Sequence, residues 1–92
     1  MNNERRRRIR KIIKELHLPD VDIEAMADDI QELADEEEEA MDNMPESMQE
    51  TERYQIAEES LDLLIDAVDT LDPDDEDSVI EAIKILKKID GV

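Results

Sequence analysis

The chain has 92 residues, 29 Asp/Glu against 11 Lys/Arg, a formal charge of −18, no Cys and one aromatic residue, Tyr54. Without Cys it can form neither a disulfide nor a thiolate metal site, and a length near 90 fits one small domain. The scarcity of Gly and Pro and the Ile, Leu, Met, Val and Ala content point to an all-α fold over 1–92, a small helical bundle.

The first expected helix covers 3–17. Ile9, Ile12, Ile13 and Leu16 follow the i, i+3, i+4, i+7 rule. Arg5, Arg6, Arg7, Arg8, Arg10, Lys11 and Lys14 cover the rest of its surface. Pro19 removes a backbone donor and biases Leu18 away from helix, so the helix stops there.

An acidic hairpin over 20–71 follows. Its first helix starts at Asp20 or Asp22, either of which can cap it, and ends near Asn43. The expected seam is Ile23, Met26, Ile30, Leu33, Glu37, Ala40 and Met44. Glu37 interrupts the apolar pattern. It marks either a polar register site, an arginine partner, or a seam rotated toward Ala34 and Met41. Pro45 stops the helix, Asn43 suits a left-handed terminus, and Ser47 with Glu50 fits a capping box. One helix over 47–71 is then expected, with the seam Tyr54, Ala57, Leu61, Leu64, Val68 and Leu71. Ile56, Leu63 and Ile65 widen its apolar arc, so it should touch more than one neighbour. Tyr54, Leu61, Leu64, Val68 and Leu71 are thus candidates for a core or homodimer seam.

A last helix is expected over 75–90, with Val79, Ile80, Ile83, Leu86 and Ile89 inward and Gly91 as terminator. Each hairpin helix, at about 24 residues, would span roughly 36 Å, and the two flanking helices are about half as long.

The charge is distributed in blocks. Residues 1–17 carry net +5, residues 18–78 net −24, and residues 79–92 net +1. The acidic block has regular apolar spacing, which a disordered acidic tail lacks. Asp28, Glu32, Asp35, Glu39 and Asp42 form one stripe opposite the seam, and Glu59, Asp62, Asp66 and Asp69 form another. Successive acids rise roughly 5–6 Å. Such rows suit a solvated face, a basic protein partner, or imitation of nucleic-acid phosphates in a basic groove. The run Arg5, Arg6, Arg7, Arg8 can dock on an acidic face, in the same chain or a dimer mate, or contact a partner. Direct nucleic-acid binding is not expected from so acidic a body without aromatic platforms.

No catalytic, metal or cofactor site is expected. An EF-hand loop from Asp72 would need glycine at position 77 and glutamate at position 83, where the chain has Asp77 and Ile83. His17 is the lone histidine and suits a helix C-terminus better than zinc. Tyr54 reads as packing. Met41, Met44 and Met48 form either core or an adaptable contact patch. No nucleophile–base pair is visible, so an enzyme is not expected. No segment has the ~18 apolar residues of a membrane span, and the basic start lacks a signal-peptide pattern.

The segment 34–49, ADEEEEAMDNMPESMQ, resembles the hairpin junction of small acidic helical proteins encoded by phages and prophages. Glu52-Arg53-Tyr54 with the acidic heptads to Leu71, and the start Asn3-Glu4-Arg5-Arg6, fit the same group. The resemblance covers about 60 residues, mainly the hairpin. It implies a phage or mobile-element product of a bacterial host, and with neither a span nor a signal peptide expected the cytoplasm is the expected location. By analogy with anti-CRISPR and anti-restriction inhibitors it implies a non-enzymatic inhibitor of a defence nuclease or helicase. An antitoxin-like or structural dimer that docks through apolar helix faces is the alternative.

Overall fold

The computed structural model describes residues 2–49 and 51–90 and is an all-α bundle. Its elements are α1 (Asn3–Leu16), α2 (Ile23–Asp42), α3 (Glu46–Gln49), α4 (Glu52–Thr70) and α5 (Asp77–Asp90). Local sequence sets most of the boundaries. The Asn2 side chain accepts from the Arg5 amide at 2.8 Å and caps α1. Asp22, rather than Asp20, caps α2 by accepting from the Ala25 amide at 3.1 Å. Asp72 and Asp75 accept from the amides of Asp74 and Asp77, which folds the loop into α5. Ser78, buried at the start of α5, ties that loop together through Asp72 and Asp75.

α2 and α4 form the long antiparallel hairpin, α5 returns along α4, and α1 packs on α2 and α5. The molecule is elongated, 45 × 19 × 18 Å. Ile9, Ile12 and Leu16 of α1 meet Met26, Ile30, Leu33 and Ala34 of α2 in the core. Leu64, Ala67 and Leu71 of α4 and Ala82, Ile83, Leu86 and Ile89 of α5 complete it. Burying each large aliphatic side chain contributes about 1.5–3 kcal/mol, which offsets the repulsion of the charged exterior. Among the described residues no helix is long and apolar enough to cross a membrane.

Four expectations are corrected. The single helix over 47–71 is two: α3 ends at Gln49, and α4 starts at Glu52 after Thr51, its N-cap residue in extended geometry. Ser47 therefore lies inside α3 rather than at its cap, while Glu50, its capping-box partner, lies outside the described residues, as does Gly91. Asn43 is right-handed, with φ −85° and ψ −4°. Ile80 faces outward at 55% exposure, because α1 ends at Leu16 and does not cover it.

The α4 seam is also rotated from the one expected. Ala57, Ser60, Leu64, Ala67 and Leu71 are buried, whereas Tyr54, Leu61 and Val68 are half-buried on the flank. α4 packs against both α2 and α5. A helix with two close neighbours places small residues at its centre and larger ones at the sides.

Ser60 is fully buried, and among the described residues its hydroxyl has no hydrogen-bond partner. A buried unpaired hydroxyl costs about 1–3 kcal/mol, and alanine has the higher helix propensity. Ser60→Ala should raise stability by about 1 kcal/mol, read as a higher urea midpoint with unchanged slope.

Candidate functional site: an acidic hairpin clasped by a basic helix

The spacing of α2 and α4 turns their acids away from the core. All nine stripe residues are exposed: Asp28, Glu32, Asp35, Glu39 and Asp42 on α2, and Glu59, Asp62, Asp66 and Asp69 on α4. Gln31 Nε2 donates to Asp35 Oδ1 at 3.0 Å. Among the described residues none of the nine forms an ion pair. Their charge is therefore directed to solvent, where it sets a strong negative field.

The basic helix supplies a counter-charge elsewhere on α2. Arg5 Nε lies 2.9 Å from Glu37 Oε2, with Glu37 2% exposed and Arg5 14%. Arg8 Nη1 lies 2.7 Å from Glu36 Oε2 and 4.0 Å from Glu4. Thus Arg5 and Arg8 dock on an acidic face of the same chain. Arg7 is exposed and Arg6 is half-buried. Glu37, the polar position in the α2 seam, is an arginine partner, and Ala34 and Met41 are buried beside that seam as well. The Arg8–Glu36 pair is about one-third exposed, so solvent screening leaves it worth less than about 1 kcal/mol.

The candidate α4 seam divides. Leu64 and Leu71 are buried inside the monomer, Leu61 and Val68 pack against its core, and Tyr54 is half-buried. What α4 leaves on the surface is Ile65, 40% exposed, a residue the heptad reading placed only on a flank. Of the methionines near the turn, Met41 is buried and Met44 half-buried, and the Met48 side chain lies outside the described part. His17 is exposed as the C-cap residue of α1. Among the described residues no group of three His, Cys, Asp or Glu is placed to hold a metal ion. Within the acidic run 72–77 the Asp72 and Asp75 carboxylates instead shape the turn into α5.

The opposite side of the bundle differs in sign. Arg7, Arg10, Lys11 and Lys14 of α1 and Lys84, Lys87 and Lys88 of α5 are exposed, and these two helices pack together. The molecule is therefore polar across its width, acidic along α2 and α4 and basic along α1 and α5. Comparison with known proteins gives no match to a family model, a curated protein or a solved structure.

Proposed function

We propose that the chain is a non-enzymatic inhibitor that binds a basic, nucleic-acid-binding surface on a nuclease or helicase component of a bacterial anti-phage defence system. The observation that carries this reading is the pair of exposed acid stripes on α2 and α4, none of whose nine residues is neutralised by an ion pair among the described residues. Carboxylates held at helical spacing on a packed hairpin offer a basic groove repeated negative charge without the entropy cost of ordering a flexible tail. They also steer encounter with a positive surface. The resemblance of segment 34–49 to phage-encoded acidic proteins supports a host defence component as the target. In this reading the inhibitor competes with nucleic acid and does not bind it.

Salt and competition test the proposal. Tagged protein should retain a basic nuclease or helicase from bacterial lysate at low salt and lose most of it at moderate salt. The retained enzyme should be inhibited in its nucleic-acid reaction, and added duplex should displace the inhibitor. A partner held equally at both salts and unaffected by duplex would defeat the proposal. That outcome would favour the alternative, an antitoxin-like or structural interaction protein docking through apolar faces, for which exposed Ile65 and Ile80 are the supporting observation.

A further inference from the structure

Among the described residues the large apolar side chains left exposed are Leu18, Ile65 and Ile80. Two of them sit in surroundings of opposite charge. Ile65 projects from α4 with Asp62 at i−3, Asp66 at i+1 and Asp69 at i+4, all exposed. Ile80 lies in an open groove of about 370 Å³ where α5 meets the end of α1. Leu16, Val79 and Ile83 form the apolar part of that groove, and His17, Lys84 and Lys87 stand at its edge, with Glu76 as its one acid. Among the described residues Lys84 makes only a long exposed contact, 3.5 Å, to Glu81.

We propose that this groove receives the Ile65 ridge of α4 from a second copy of the chain. The contact is heterologous: an acid-rimmed apolar knob on one copy enters a base-rimmed apolar groove on the next. Asp62, Asp66 and Asp69 meet Lys84 and Lys87, and Ile65 packs on Ile80 and Ile83. Each copy retains a free groove at one end of the pair and a free ridge at the other, so copies add head to tail rather than closing as a symmetric dimer. The contact covers the same α4 acids that would face a basic partner, so self-association and partner capture compete. The inference does not depend on which partner that is.

The net charge of −18 sets a recognisable salt dependence. At low salt the whole-molecule repulsion extends across a Debye length of about 30 Å and opposes association. Near 0.15 M the length falls to about 8 Å, which suppresses the far field while contact pairs at about 4 Å persist. At high salt those pairs weaken too. Association should therefore peak at intermediate salt.

Sedimentation velocity on the intact chain, over a concentration series at each salt, reads this directly. The wild type should form species above the 10.7 kDa monomer near physiological salt. Ile65→Asp and Ile80→Asp should each weaken association by about tenfold or more, since each removes one large apolar side chain from the contact. Mixed together, the two variants should recover one interface, because the first keeps its groove and the second its ridge. The mixture should stop at a dimer of about 21 kDa, twice the chain mass. The pair Lys84→Glu with Lys87→Glu, which leaves the core untouched, should weaken association as Ile80→Asp does. Far-UV circular dichroism identifies any variant that fails to fold. A monomeric wild type at every salt, or an Ile80→Asp chain that associates normally, overturns the inference. So does a mixture of folded single variants that shows no recovery. None of these outcomes bears on capture of a basic partner.

Discussion

Arg5→Ala should lower stability by about 3 kcal/mol, the cost typical of breaking a buried ion pair from one side. For a chain of this size that corresponds to a fall of about 15 °C in the thermal midpoint. Arg5 lies 2.9 Å from a carboxylate that is only 2% exposed, so its removal takes a cationic partner from a charge with little access to water. Nothing comparable follows from Arg7→Ala, because Arg7 is exposed. Arg8→Ala should cost less than about 1 kcal/mol, since both members of its pair are about one-third exposed. The contrast along one run of arginines is what thermal or urea unfolding would check. Equal losses at all three positions would mean that helix charge in general, rather than the Glu37 contact, holds α1 in place.

The same pair can be removed from both sides. Replacing Arg5 and Glu37 together with methionine should restore most of the loss or exceed the wild type, because a buried pair rarely recovers its desolvation cost. The chain keeps the pair near the end of the continuous core. Met41 and Ala57 are buried toward the turn yet stand outside the main apolar cluster, and Glu37 lies between that tip and the cluster along α2. A charged contact there is expected to fix the register of α1 against the hairpin, and an apolar replacement should let α1 slide by a turn. The double variant should accordingly show broadened amide resonances in α1 even where its midpoint is high.

Much of this arrangement is legible in the sequence because local chemistry controls it. Pro19, Asp22, Pro45 and Pro73 punctuate the chain near the helix ends, and Ile9, Ile12 and Leu16 declare the buried face of α1 by spacing alone. The exposed acids lie where a 3.6-residue period opposite the seam puts them. The break at Thr51 is not legible, since neither Gly nor Pro marks it and the apolar heptads run on toward Leu71. The rotation of α4 was hidden for a different reason. Hydrophobic size favours Leu61 and Val68 as seam residues, but packing against two neighbours selects Ser60 and Ala67 for the interior. Glu37 announces a polar layer, yet its partner is 32 residues away, and only the antiparallel return of α2 along α1 chooses Arg5 from a run of four arginines.

Reversing Asp62, Asp66 and Asp69 to lysine should weaken capture of a basic partner by roughly two to three orders of magnitude. Each exposed pair lost is worth about 0.2–1 kcal/mol, and setting like charges against each other adds several kcal/mol more. The fold should tolerate the change. All three side chains are exposed, and the charge moves from −18 toward about −12, which relieves self-repulsion. Glu58 would gain a lysine four residues toward the C-terminus, the favourable orientation for a helix pair. The thermal midpoint should therefore hold or rise by a few degrees while binding collapses, a combination that misfolding cannot imitate. Isothermal titration against the captured partner, with circular dichroism on the same samples, separates the two effects. The reversed variant should also lose part of its salt dependence, because three of the nine exposed acids whose attraction salt screens are gone. Undiminished binding by a folded triple variant would move the contact to the α2 stripe or to an apolar face. Reversal of Asp28, Glu32 and Asp35 would then distinguish those two surfaces.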